Sequence, residues 1–209
     1  MSIIKATELS CQRGQYDLFQ PVSFELSLGK SILISGPNGI GKTTLLESIA
    51  GLRAIQQGKI TYKDIDLSNN KDQWFDDSFF IGHKTGNKKE LNCLENLSLF
   101  LQIQGIDISQ DQAEEALEKV GLGGYEYQFA GSLSAGQKKR LALARLLLIK
   151  HPVWILDEPF VNLDVAGCEW LLGVLHKHLD NSGILIITAH DNQNIRKRIT
   201  QELILEMAQ

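Results

Sequence analysis

Gly36-Pro37-Asn38-Gly39-Ile40-Gly41-Lys42-Thr43-Thr44 has the spacing of a phosphate-binding P-loop: a glycine, four residues, a second glycine, then Lys and Thr. Glycine reaches positive φ at no steric cost and lets the backbone come close to a ligand, so successive N–H groups can turn inward on phosphate oxygens. Lys42 is placed to reach the β- and γ-phosphates of a nucleotide, and the Thr43 hydroxyl to ligate Mg²⁺. The flanks agree. Ser31-Ile-Leu-Ile-Ser35 predicts a short buried strand, and Leu45, Leu46, Ile49 and Ala50 recur at helical spacing before Gly51. The loop therefore opens a helix whose positive dipole end faces the phosphates.

Around this centre, 209 residues suit one large α/β domain with a sizeable core. With 43% hydrophobic and 22% charged residues the composition is that of an ordinary globular chain, and a net charge of −4 gives no nucleic-acid footprint. The start, Met1 to Glu8, lacks a basic stretch followed by an apolar one, and no run of about 18 apolar residues occurs, so the chain is not expected to enter or span a membrane by itself. Cys11, Cys93 and Cys168 are odd in number and far apart, which suits reduced thiols better than disulfides or zinc.

Ile3 to Ser10 and Val22 to Leu28 read as strands that form an antiparallel flank beside the loop, and Gly58 to Tyr62 as a further strand. Between the first two, Arg13 by its guanidinium and Tyr16 by its ring are candidates to lie against an adenine, and a solvated loop is the other reading. Asp64 to Asp77 reads as loop or short helix. Phe79 to His83 is an apolar strand leaving into a polar loop, with His83 where the strand ends. Leu91 to Gln104 and the segment after the capping box Ser109 to Gln112 have helical spacing and make a small helical subdomain, about residues 87–140. Gly121 closes its second helix, and the aromatics of Gly123 to Phe129 are expected to pack, with a partner contact as the other reading.

Leu133-Ser-Ala-Gly-Gln137 precedes another helix. Ser134 and Gln137 form a capping box, worth about 0.5–2 kcal/mol, while Ser134 and Gly136 also present a hydroxyl and bare amides where an anion can be received. Val153-Trp-Ile-Leu-Asp-Glu158 is a buried parallel strand feeding two carboxylates, Asp157 and Glu158, one of which would face the metal and the other an attacking water. A turn, Val161 to Asp164, and a helix, Ala166 to Leu179, follow; His176 and His178, two apart on that helix, make a poor metal pair. Gly183 to Thr188 is another buried strand, delivering His190 to the sheet's carboxyl edge, where ligands of open α/β sheets collect. Arg196, Lys197 and Arg198 read as a solvated helix face.

These segments in line resemble the nucleotide-binding subunits of ABC transporters over essentially the whole chain. Gly36 to Thr43 looks like Walker A, Leu133 to Gln137 like the signature with Ala135 for its first glycine, Val153 to Glu158 like Walker B with its catalytic glutamate, Asn162 to Asp164 like the D-loop, and His190 like the switch histidine. The resemblance implies a single ATP-binding domain with a RecA-like parallel-sheet core, ATP and Mg²⁺ as cofactors, and a head-to-tail homodimer. In such a dimer each ATP lies between Walker A of one copy and Ser134 to Gly136 of the other. More narrowly, Gly82-His83, Leu91-Asn-Cys-Leu-Glu-Asn-Leu97 and Asp157-Glu-Pro-Phe160 are similar to the ATP-binding subunits of cytochrome c maturation systems. That implies haem export or release of a haem-loaded periplasmic chaperone, integral membrane partners, and a peripheral place on the cytoplasmic side of the inner membrane. His83 stands where the wider family has its Q-loop glutamine, and Arg13, not Tyr16, where an adenine-stacking residue is usual. No Cys-x-x-Cys-His is present, so direct haem binding is not expected. The alternatives are an ABC ATPase with other cargo and a membrane-free ABC ATPase acting on nucleic acid or ribosomes; the latter architectures need long coiled coils or tandem cassettes.

Overall fold

The computed structural model describes residues 3–189 and 193–208. Two compact units partition the chain: Met1–His83, His151–Glu158 and Leu175–Gln209 make the first, Lys84–Lys150 and Pro159–Val174 the second. In chain order, the first unit contributes β1 (Ile4–Ser10), β2 (Gln12–Arg13), β3 (Tyr16–Asp17), β4 (Val22–Leu26), β5 (Ser31–Ser35), α1 (Lys42–Ile49), β6 (Gln57–Tyr62), β7 (Ile65–Asp66), α2 (Lys71–Asp77) and β8 (Ser78–Ile81). The second unit holds α3 (Cys93–Ile103), α4 (Gln110–Lys119) and α5 (Ala135–Ala144). Next come β9 (Val153–Asp157) in the first unit, α6 (Val165–Asp180), which begins in the second and ends in the first, and then β10 (Ile184–Thr188), α7 (Gln193–Arg196) and β11 (Gln201–Ile204).

In the first unit, five strands form a parallel sheet in the order β11-β5-β10-β9-β8, and β4-β1-β6-β7 form an antiparallel one. Why the parallel strands read as unbroken apolar runs follows from burial on both faces. Ile32 and Ile34, Val153 and Ile155, and Ile184 and Ile186 point into one core with Leu45, Leu46 and Ile49 of α1 and with Ile4, Ala6, Phe24, Leu26, Ile60 and Tyr62 of the antiparallel sheet. The intervening Leu33, Trp154, Leu156, Leu185 and Ile187 are buried as well. Removing one of these side chains, as in Leu46→Ala, would cost about 2–5 kcal/mol. Because all five strands run the same way, the carboxyl ends of β5, β9, β10 and β8 open on one edge. Register aligns Thr188 with Asp157 and with Ile34, and Ile81 with Leu156.

The second unit packs Cys93, Leu94 and Leu97 of α3 against Ala113, Ala116 and Leu117 of α4 and Leu141 and Ala144 of α5. Capping boxes start all three helices, at Asn92–Glu95, Ser109–Gln112 and Ser134–Gln137. The first of these moves the start of α3 past the expected Leu91.

The aromatics of the loop after Gly123 depart from expectation. Tyr125 packs on the core, but Tyr127 and Phe129 are exposed, and the Tyr127 hydroxyl accepts from Gln110 Nε2 at 3.2 Å. The basic run is not a helix face either: α7 ends at Arg196, which pairs with Glu202, while Arg198 pairs with Asp180. All three cysteines are free thiols. Among the described residues no helix is long and apolar enough to cross a membrane.

Candidate nucleotide-binding site

The loop after β5 wraps the start of α1. Gly41 is its N-cap at φ 112, a conformation that favours glycine, and a Cβ there would lie 3.0 Å from Leu18 Cδ1, which would have to shift. Ile40 is buried in the core and anchors the loop. Lys42 Nζ donates to the carbonyls of Gly36 at 2.8 Å and Pro37 at 3.1 Å, which holds the ammonium over the loop. With Arg13, Asn38, Gly39, Gly41, Thr43, Thr44 and Glu158, Lys42 lines one open cleft of about 370 Å³. Two cations and a helix N-terminus suit this cleft to a polyanion.

Arg13 and Tyr16 are cross-strand partners in the β2–β3 hairpin, which the sequence did not reveal. Arg13 lines the cleft; Tyr16 is 81% exposed.

Below the cleft lies a hydrogen-bonded run through the strand ends. Thr43 Oγ1 donates to Asp157 Oδ2 at 2.7 Å, and Thr188 Oγ1 donates to Asp157 Oδ1 at 2.7 Å. The Glu158 N–H donates to Thr188 Oγ1 at 2.9 Å. Asp157 is buried, and two hydroxyl donors compensate the cost of burying its carboxylate. Glu158, the residue just past β9, sits at φ 46, in the left-handed region that costs a residue with a Cβ about 1–2 kcal/mol. The turn it makes brings the carboxylate to the cleft, with Oε2 3.7 Å from His83 Nδ1. A carboxylate and a hydroxyl in contact are hard oxygen donors of the kind Mg²⁺ uses when it shares its remaining ligands with phosphate oxygens. Among the described residues there is no group of three or more His, Cys, Asp and Glu that could hold a metal without such help.

The second unit carries the remaining expected residues. Ser134 caps α5, its Oγ accepting from the Gln137 N–H at 3.2 Å while the Ser134 N–H donates to Gln137 Oε1 at 2.9 Å. Gly136 lies against backbone: a Cβ there would come within 2.7 Å of the Asn162 carbonyl oxygen. Asp164 accepts from the Gly167 N–H at 2.9 Å at the start of α6 and from Arg140. The backbone donor of Gly167, and then Arg140, hold its carboxyl below the usual range. His190 lies outside the described residues.

Thr188 is the residue of this site that sequence reading missed. Its signal was present, a hydroxyl closing the otherwise aliphatic strand Ile-Leu-Ile-Ile, yet only the register with β9 gives it a partner.

The family model for the ABC transporter matches residues 19–161. A cytochrome c biogenesis ATP-binding export protein, CcmA, from Dechloromonas aromatica is 41% identical over 203 residues, covering 97% of this chain and 100% of the relative. Its namesake from Shewanella oneidensis is 42% identical over 196 residues, 94% of this chain and 90% of the relative. Among solved structures, an ATP-binding subunit of an ABC transporter superposes with a TM-score of 0.85 at 22% identity, covering 98% of this chain and 86% of that one, a likeness of fold. The chain belongs to the ABC transporter family, in the branch that the cytochrome c biogenesis ATP-binding export proteins represent.

Proposed function

We propose that the chain is the ATP-binding and ATP-hydrolysing subunit of an ABC export complex for cytochrome c biogenesis. The observation that carries the chemistry is the run Thr43–Asp157–Thr188–Glu158 beneath the glycine loop. The amides of Gly36 to Thr44 and the Lys42 ammonium would cradle the phosphates, and Arg13 would lie against the base. Thr43 and Asp157 would hold Mg²⁺, which when bound neutralises charge on the phosphates. Glu158 orients water and takes up its proton as the water oxygen attacks the γ-phosphorus, while the bond to the β–γ bridging oxygen breaks and ADP leaves. His83 and His190 would assist at this end of the site. Ser134, Gly136 and Asp164 would meet the nucleotide held by a second copy, so the working unit is a homodimer.

In this reading the energy of ATP binding and hydrolysis serves haem export or release of a haem-loaded chaperone. The chain would act peripherally, on the cytoplasmic side of the inner membrane, with integral membrane subunits as partners. Near 40% identity over nearly whole chains to proteins named for cytochrome c biogenesis favours this over other cargo.

Glu158→Gln keeps shape and removes the base. With ATP and Mg²⁺ that variant should bind nucleotide, lose turnover by about 10²–10⁴-fold and accumulate as a dimer on gel filtration. Unchanged hydrolysis by a monomer would remove both roles. Affinity purification from detergent-solubilised membranes should bring down integral cytochrome c maturation subunits; their absence, with other transporter subunits in their place, would reassign the cargo.

A further inference from the structure

We propose that Thr188 is a positioning residue for both carboxylates of the site, acting through its hydroxyl rather than its bulk. Thr188 is the last residue of β10, wholly buried, in register with Asp157. At that point the β9–β10 ladder ends, and the next backbone donor is the N–H of Glu158, a residue at φ 46. The Thr188 hydroxyl accepts from that N–H at 2.9 Å and donates its own hydrogen bond to Asp157 Oδ1 at 2.7 Å. One group thus accepts from the backbone of one acidic residue and donates to the side chain of the other. Only a hydroxyl can do both at this size: valine does neither, serine does both.

The consequence for the site is geometric. Asp157 is fixed from two directions, by Thr43 at the start of α1 and by Thr188 at the end of β10, so its carboxylate cannot rotate without breaking a buried hydrogen bond. Glu158 occupies a backbone conformation unfavourable to a residue with a Cβ, and the bond from its N–H to Thr188 is one restraint that holds it there. Loss of the hydroxyl should therefore leave the glycine loop intact while misplacing the base. That separates Thr188 from residues such as Lys42 that face the cleft.

The experiment compares Thr188→Val, Thr188→Ala and Thr188→Ser in the full chain, by ATP turnover and by amide hydrogen exchange of the peptide covering Asp157–Phe160 without nucleotide. Val and Ala should lower kcat by about 10–100-fold with KM changed by less than about threefold, and exchange in that peptide should quicken. Ser should restore both. Val turning over at the wild-type rate, or Ser impaired as deeply as Val, overturns the proposal. Should Val not fold, Ala against Ser decides in the same terms. The inference rests on the roles given above to Asp157 and Glu158, and the exchange arm separates the two failures. If exchange distinguishes Val from Ser but the wild-type protein hydrolyses no ATP, the proposed function falls. If ATP is hydrolysed and Val is indistinguishable from wild type in both readouts, Thr188 falls alone.

Discussion

His83 Nδ1 lies 3.7 Å from Glu158 Oε2. His83 comes two residues after the end of β8, and its side chain is largely exposed. Just beyond it the chain leaves the first unit as the loop that begins at Lys84. A residue at that junction can link the state of the base to the loop. ATP drives a distant change only by binding one conformation better, and moving a population from 1:99 to 99:1 takes about 5.5 kcal/mol of differential affinity. His83→Ala should bind ATP nearly normally, hydrolyse it about tenfold more slowly and fail to support cytochrome c maturation. His83→Gln should recover part of both. Full complementation of a deletion strain by His83→Ala, scored on haem-stained c-type cytochromes, would reduce His83 to a bystander.

Lys42 makes the opposite kind of contribution. Its ammonium is held by the Gly36 and Pro37 carbonyls over the loop. Those two bonds pre-position the charge, so that a phosphate meets a cation already in place. Lys42→Ala should remove a charge-assisted contact of about 1.5–3 kcal/mol, weakening ATP binding by roughly 10–150-fold in equilibrium titration. Wild-type affinity and turnover in that variant would exclude the loop as the phosphate site.

How much of this was legible beforehand depended on whether the signal was local. The strand Ser31–Ser35, the helix from Lys42 and the buried strand ending at Asp157 were readable because each carries its own pattern: an apolar run, helical spacing, a glycine at the φ that needs one. β11 was not, since Gln201–Ile204 alternates half-exposed residues, and it becomes a strand only by pairing with the already buried β5. The same holds for the β2–β3 hairpin, two residues a side, and for Thr188 and Arg145, whose importance lies in partners dozens of residues away. Tyr127 and Phe129 misled for the converse reason: aromatic character argues for burial, but the loop turns them outward.

Arg145 shows what a long-range partner is worth. It is buried at the end of α5, with its guanidinium carbon 4.2 Å from the centre of the Phe100 ring. Nη1 donates to the Thr85 carbonyl at 3.0 Å and Nη2 to Asn87 Oδ1 at 2.9 Å, while Asn87 Nδ2 donates to the Lys138 carbonyl at 2.8 Å. Burial pulls its pKa down to about 10, which still leaves it charged at neutral pH. A planar fork serves two acceptors and a ring at once, and an ammonium cannot. Arg145→Lys should therefore cost about 1–3 kcal/mol in urea denaturation and make the segment 84–90 more sensitive to limited proteolysis. A variant as stable and as resistant as wild type would show that the loop is held without the guanidinium fork.

The last expectation concerns pH. His178, in the final turn of α6, stacks flat on Trp154, with ring centroids 3.7 Å apart and planes 6° from parallel. Its Nε2 is 3.2 Å from the Ile184 carbonyl oxygen, so the neutral ring carries its proton there. Burial pushes its pKa down to about 4. An unfolded chain would hold the same ring near 6.5. Between those values the unfolded state binds a proton that the folded state refuses, so stability is lost as pH falls from about 6.5 towards 4, and none of that loss occurs at pH 7 and above. Linkage gives about 2 kcal/mol between pH 7 and pH 5 as the upper bound, which residual solvent around the partly buried ring reduces. His178→Phe keeps the stack and has no proton to bind. Burial pushes the His151 pKa down as well, but that group is common to both proteins and cancels in the comparison. Urea denaturation at pH 7 and pH 5 should show wild type losing about 1–2 kcal/mol more than His178→Phe over that interval. Equal losses in the two proteins would mean that the folded state accepts the proton, with the imidazolium still bonded to the Ile184 carbonyl.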